Sequence, residues 1–357
     1  MSKTDNKQKQ SLQLKVAAKA HAAKYKKVNP GPAYAWPMGL WFTIFFVVPI
    51  AIIVCYSFMK KDMHGGVKAE FTLNAYKSIF ARDSDTGKFI YLPILLRTLW
   101  MTLLSTLVSI AIALPCGYAI ARSKRQTLLL ILVIIPFMTN SLIRIFAWQS
   151  ILGEEGLLNQ IFHFFEWLWH SLIGAKDWTF QPHKFMYTKG AVVLVSIYMY
   201  LPYAILPIFT AVDRFDFSLL EAARDLGATK AQSMIKILLP GIKSGIISSV
   251  IFTFIPIFGN YTVPQLVGST KSYMLGNIIM DQIQKARNLP LASAFSVVLT
   301  IVTMVAILFM LSSDKKEANL RKSSKKEDSG VPEKPLSQPQ AGQVAQPEQV
   351  AQSGEAK

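Results

Sequence analysis

Acidic residues withdraw entirely from six long apolar stretches of the chain, at 36–59, 94–121, 128–152, 190–212, 243–267 and 291–312. About twenty apolar residues of α-helix cross the hydrocarbon layer of a bilayer, so each stretch is predicted to be a membrane-spanning helix. The expected fold is an all-α integral membrane protein with six transmembrane helices. The fifth stretch carries Pro256, Gly259, Asn260 and Pro264, which predicts a bent or broken helix. A bilayer tolerates that only where protein or a water-filled path covers the freed backbone groups. Outside the transmembrane domain of 36–312 lie two polar tails. Residues 1–35 are basic, and 14–28 reads either as a helix on anionic headgroups or as disordered chain. They are not a cleavable signal peptide, because the charged part is too long and the apolar run behind it is long enough to span. Residues 313–357 turn charged and then rich in Pro, Gln and Ser, and are expected to be disordered.

One polar interval, 213–242, separates the fourth and fifth stretches. Ser218 followed three residues on by Glu221 is a capping-box pattern, and Thr229 with Gln232 repeats it. Gly227 falls where a first short helix should stop, since glycine enters the left-handed cap conformation without strain. Pro240 ends the second short helix or opens the next span. The interval is therefore predicted to be a pair of short helices joined by a bend.

Composition agrees with the pattern. The 357 residues are 52% hydrophobic with a mean hydropathy of +0.33, more apolar surface than a soluble domain of this size can bury. The net charge of +17 does not indicate nucleic acid, because the basic residues cluster beside the spans. With the N-terminus inside, 24 Lys and Arg fall in cytoplasmic segments and 12 in external ones. That bias places both termini and the 213–242 loop in the cytoplasm. Cys55 and Cys116 lie inside predicted spans and read as small apolar residues. The histidines His21, His64, His163, His170 and His183 are scattered, with no metal-ligand spacing; His163 and His170 accompany Trp167 and Trp169 on a candidate interfacial helix. No GxxxxGK[ST] phosphate loop and no catalytic Ser/His/Asp or Cys/His set is present.

Glu221, Ala222, Ala223, Gly227, Ile237, Leu239 and Pro240 together resemble the EAA loop of ABC importer permeases. Further residues resemble the B-type subunit of spermidine/putrescine permeases: Pro136 to Ser141 with Arg144 and Trp148, Ile151 to Gly153, Gly156 to Asn159, and Leu275 to Ile279. The similarity extends over about Trp36 to Ser312. It implies a type I ABC importer-like fold in a bacterial inner membrane and the import of polyamines. It also implies a heterodimer with a second homologous permease, two copies of an ATPase that carries the ATP and Mg, and an external polyamine-binding protein. In that family the seven loop residues form the coupling helices that dock on the ATPase; the alternative is an ordinary capped hairpin. Phosphonate, opine, thiamine, sulfate and ferric-ion permeases share the loop, so other substrates stay open. A secondary transporter is a further alternative. It would need an intramembrane Asp, Glu or His for coupling, and the six stretches contain none. A membrane scaffold is a third.

Arg144 is the one charge well inside a span, while Arg97 is near an edge and can snorkel. Arg144 has the wrong sign to attract a polyamine; it either bonds backbone or subunit partners or contacts substrate. The candidate path residues are aromatic: Tyr198, Tyr200 and Tyr203 beside Pro202, and Phe252, Phe254, Phe258 and Tyr261 beside Pro256. Each ring face offers a cation about 0.5–2 kcal/mol, though aromatics at helical spacing also pack in cores. The orientation is testable. In a chain lacking Cys55 and Cys116, single cysteines near Asp85 and Lys176 should label with an impermeant thiol reagent from outside, and one near Lys326 should not. Labelling of the Lys326 site in intact cells overturns the orientation.

Overall fold

Apolar runs with breaks fold into helices with breaks. The computed structural model describes residues 31–62, 66–82, 87, 89–173 and 181–328, with side chains described between 36 and 308. The N-terminal tail with His21, His64, the probe positions at Asp85 and Lys176, and the Pro-rich tail from 329 lie outside the described residues. The chain opens with α1 (Gly31–Phe42), a π-helical turn (Thr43–Val47) and α2 (Val48–Ser57). A hairpin of β1 (Met59–Lys61) and β2 (Val67–Phe71) and a short α3 (Asn74–Ile79) lead to the long α4 (Leu92–Ala121). On the hairpin, hydrogen bonds from Lys68 and Lys60 hold the Glu70 carboxylate below its usual range. Next come α5 (Gln126–Ile134), a 3-10 turn (Ile135–Met138), α6 (Ser141–Leu152) and α7 (Leu157–Ile173). The second half holds α8 (Lys189–Asp213), α9 (Ser218–Asp225) and α10 (Lys230–Ser233). A π turn (Met234–Leu238), α11 (Leu239–Gly241), α12 (Lys243–Phe258), α13 (Thr262–Val267), α14 (Leu275–Gln284) and α15 (Leu289–Asp328) complete it.

Among the described residues, four helical segments are long and apolar enough to cross a membrane: Trp36–Ser57, Leu92–Ala121, Lys189–Asp213 and Leu289–Leu308. The number is up to six if each of two bent pairs counts as one span. The third predicted span is one of these pairs, bent by 89° between Gln126–Met138 and Ser141–Ile173. Pro136 removes a helical N–H and Thr139 turns extended, so an apolar run does not make one straight rod there. The fifth predicted span ends its first helix at Phe258 and restarts at Thr262, with Gly259, Asn260 and Tyr261 between. Here the expected break is present. The last helix continues past Ser313, where the sequence reading places disorder, and runs to Asp328. Its Lys, Glu, Ala, Leu and Arg residues are strong helix formers. The chain divides into two compact units at Ile307 and Leu308.

In the first unit, α8 is the centre: it packs against α4 and α12, which also touch each other. One face of α4 makes this possible. Thr98, Thr102, Ser105, Thr106 and Ser109 recur at helical spacing and are all buried. Small hydroxyl side chains let helix backbones approach closely in a membrane. One core cluster joins α4, α6, α8 and α13 through Met101, Ile145, Leu152, Val192, Val195 and Val263. A second joins Ala113, Ile120, Ile205, Ile208 and Val212 to Leu220, Leu238 and Ile242 of the polar interval. A third packs α3 and α14 on α15 through Ile79, Leu275, Leu291 and Phe295. By contrast, no part of the first span's apolar window is buried within the chain, as befits a helix covered by lipid or by another subunit.

Gly245 on α12 marks the closest approach to α8, where an added Cβ would overlap Ala211 and lie 2.9 Å from the Pro207 carbonyl oxygen. Gly245→Val should therefore destabilise the purified protein by about 1–3 kcal/mol, the usual cost of overpacking. Gly39→Val, where nothing lies within 4 Å, should not. Equal thermal denaturation of the two variants would contradict the α8–α12 contact.

Candidate coupling loop and substrate path

The polar interval folds as the pair of short helices expected, but its first cap differs. The side chain of Ser218 makes no capping bond; the Asp216 Oδ1 accepts the Ser218 N–H at 3.0 Å instead. Asp216 thereby occupies the N–H that the Glu221 carboxylate would accept in a capping box. Glu221 is thus not a capping partner, and it stands exposed with Ala222. The stop is a Schellman motif: Gly227 has φ +87°, its N–H donates to the Arg224 carbonyl at 2.8 Å, and the Ala228 N–H donates to the Ala223 carbonyl at 3.0 Å. Two residues later the second box is complete. Thr229 Oγ1 accepts from the Gln232 N–H at 3.3 Å, and Gln232 Oε1 accepts from the Thr229 N–H at 3.0 Å. The start motif at Thr229 follows directly on the last residue of the stop motif, Ala228, so the bend has almost no slack.

The seven predicted loop residues separate by role. Glu221, Ala222 and Gly227 are exposed and Ala223 is half-buried beneath them. Ile237 and Leu239 are half-buried against the second core cluster, and Pro240 lies in the first turn of α11. Ile237 and Leu239 fasten the loop to the spans. The outward surface includes three apolar residues that sequence reasoning missed: Leu219 and Ile235, both exposed, and Leu226, 90% exposed at the tip. Exposed large apolar residues in a polar loop were the available signal. At the base, Gln126 Nε2 donates to the Ala121 carbonyl at 2.7 Å and to Asp213 Oδ1 at 3.0 Å, tying the ends of α4 and α8. Arg122 lies over the Phe217 ring, 4.7 Å from its centre. Beside the π turn, an apolar cavity of about 290 Å³ is lined by Leu114, Pro115, Tyr118, Val212, Met234, Leu238 and Ile242.

The aromatic set also divides. Phe254 and Phe258 stack on each other, 5.5 Å between ring centres, in the buried interior. Tyr198 is half-buried between Phe137 (5.8 Å) and Trp148 (5.3 Å). These three are packing residues in this arrangement. Tyr203, Phe252 and Tyr261 are exposed. Tyr200 is 6.0 Å from Tyr203, and its hydroxyl accepts from Asn260 Nδ2 at 3.1 Å. Among the described residues no three His, Cys, Asp or Glu side chains gather as metal ligands.

Asn260, read in the sequence as part of a break, and Asn140, Asn159 and Asn277 have a further role that sequence reasoning missed, which is to satisfy backbone groups where helices end. Asn140 Oδ1 accepts the Leu142 N–H at 2.8 Å. Asn260 Oδ1 accepts those of Thr262 (2.9 Å) and Val263 (3.3 Å). Asn277 accepts from the Met274 N–H at 3.1 Å and donates to the Tyr261 carbonyl at 2.8 Å. Asn159 accepts from the His183 N–H at 2.9 Å and donates to the carbonyls of Gly153 and His183, each at 3.0 Å. An Asn within or beside an apolar run was the available signal.

This arrangement of bent spans around α8, with a braced helical loop, is that of a membrane component of an ABC importer. The chain belongs to the family of binding-protein-dependent transport system inner membrane components, which it matches over residues 22–315. It is 35% identical over 270 residues to the spermidine/putrescine transport system permease protein PotB of Salmonella typhimurium strain SL1344, covering 75% of this chain and 88% of that protein. It is 30% identical over 295 residues to the PotB of Haemophilus influenzae, covering 82% and 95%. A bacterial alginate ABC transporter, solved in complex with an alginate pentasaccharide-bound periplasmic protein, shares the fold. That match has a TM-score of 0.58 and 17% identity, over 78% of this chain and 91% of that one.

Gly227 tests the loop. A β-branched side chain at φ +87° strains the backbone, on the order of 1 kcal/mol or more, or moves α10. Gly227→Val should leave membrane insertion intact but reduce co-purification of the ATPase, whereas Gly227→Asn, which tolerates the left-handed region, should retain it. Equal ATPase recovery from the two variants would contradict the role given to the bend.

Proposed function

We propose that this chain is a permease subunit of an ATP-driven importer of polyamines, spermidine or putrescine, in the bacterial inner membrane. The observation that carries this reading is the 35% identity, over three quarters of the chain, to a permease named for those substrates. In this reading both termini and the 213–242 loop are cytoplasmic, which the Lys and Arg bias supports. The chain pairs with a second homologous permease, and two ATPase subunits carry ATP and Mg. An external polyamine-binding protein delivers the substrate. The transmembrane domain is 36–312, and the tails on either side of it are cytoplasmic.

The ATPase contact is the outward face of the loop: Glu221 and Ala222, with Leu219, Leu226 and Ile235 as apolar contacts exposed in the chain alone. Gly227 and the capping box set the angle of that face, and Ile237, Leu239 and Pro240 transmit its movement to α8 and α12. The substrate path uses the exposed rings of Tyr203, Phe252 and Tyr261, with Tyr200 held by Asn260. This chain's spans offer a polyamine no carboxylate, so on its side of the path the cation meets only weak sites. Several ring faces, each worth about 0.5–2 kcal/mol, ease its passage without trapping it. Selectivity then resides mainly in the external binding protein.

Labelled spermidine uptake tests this. In cells without other polyamine uptake, this chain with its partner subunits should restore ATP-dependent accumulation. Tyr203→Ala should lower the rate about threefold or more, while Tyr203→Phe, which keeps the ring, should be near normal. No spermidine accumulation alongside uptake of a different solute would overturn the substrate. Full-rate uptake by Tyr203→Ala would overturn the aromatic path.

A further inference from the structure

The membrane-spanning segments contain two well-separated arginines, and the chain treats them differently. Arg97 is fully engaged: its Nε donates to the Tyr273 carbonyl at 3.0 Å, its Nη1 to the Lys271 carbonyl at 2.6 Å, and its Nη2 again to Tyr273. Arg144 is not. Its Nε and Nη1 are buried and have no hydrogen-bond acceptor among the described residues. The Phe137 ring covers one face of the guanidinium, 4.8 Å from the ring centre, and a ring face does not satisfy N–H groups directed along the guanidinium edge.

Two features of the position raise the demand for a negative partner. Arg144 closes the first turn of α6, behind the N-cap Asn140, so the positive end of the helix adds to its charge instead of offsetting it. The segment that carries it also bears exposed apolar residues: Met138 at 79%, Ile143 at 65% and Phe146 at 51%. Lipid against that segment would leave a guanidinium in or beside hydrocarbon, at about 3 kcal/mol on insertion scales. The side chain as a whole is half-exposed, so rotation of the guanidinium brings it within reach of a group from outside the chain. A polyamine cannot be that group, because it carries the same sign.

We infer that the unpaired Arg144 guanidinium donates to a carboxylate of the second permease subunit, an intersubunit ion pair in a segment whose exposed residues Met138, Ile143 and Phe146 are apolar. The inference rests on the heterodimer proposed above. The pair fixes the register of the two permeases, since a buried charge tolerates displacement of its partner far less than an apolar contact does.

The test is co-purification of the second permease with the tagged chain, from a complex assembled with its ATPases and without polyamine. Arg144→Met should lower retained partner by about tenfold or more relative to wild type, while its membrane level when expressed alone is unchanged. Arg144→Glu should lose the partner too. Retention should return when one Asp or Glu in the partner's membrane segments, found by changing them singly, is replaced by Arg. Wild-type retention by Arg144→Met, or failure of every charge exchange to restore Arg144→Glu, overturns the inference. Because no polyamine is present, an error in the substrate leaves the result unaffected. If the wild-type chain retains no second permease, the heterodimer fails and this inference with it; if only the variants behave as wild type, this inference alone fails.

Discussion

Inside a bilayer no water serves a backbone N–H or C=O, and every other feature of this chain depends on how that demand is met. Unbroken helices meet it internally. The chain nevertheless breaks its helices near Thr139, at 259–261 and before Leu275. At each break an asparagine carries the load, because one carboxamide both accepts and donates. Asn260 takes two N–H groups at the start of α13 and holds Tyr200 with its other end. Asn277 spans from Met274 to Tyr261, so neighbouring breaks are sewn to each other. The breaks are therefore fixed structure; Tyr261 sits in one of them, and Asn260 of the same break holds the Tyr200 hydroxyl of α8.

The polar interval between α8 and α12 is held together by local motifs. A Schellman stop ending at Ala228 runs directly into a capping-box start at Thr229, so its two short helices keep one angle. Its inner side is bonded to the core by Leu220, Leu238 and Ile242, and the polar tie through Gln126 and Asp213 joins the ends of α4 and α8. The apolar cavity beside the π turn offers room on one side of this rigid piece. In the proposed function, a push on the outer face reaches the helices of the aromatic path through these contacts.

The elements of this arrangement were unequally legible in the sequence. Long runs without acids announce spans, because burial in lipid is demanding over some twenty residues. The Thr229–Gln232 box and the Gly227 stop were legible because both are local. Ser218 and Glu221 have the same spacing as Thr229 and Gln232, yet Asp216 two residues earlier competes for the orphan N–H and takes it. Spacing alone cannot rank two acceptors. The break near Asn140 sits inside a run apolar on both sides, so hydropathy reads straight through it. The roles of Phe254 and Phe258 were illegible for the same reason: in a helix apolar all round, no periodicity separates the face toward the core from the face toward a path.

In the proposed function a polyamine signal passes from the membrane path through the 213–242 loop to an ATPase. The most direct measurement is ATP hydrolysis by the complete complex in proteoliposomes, with and without the spermidine-loaded external protein. The account predicts that hydrolysis rises when the loaded protein is added, and that Glu221→Ala blunts the rise. Hydrolysis indifferent to the loaded protein, or a rise untouched by loss of the Glu221 side chain, would contradict it.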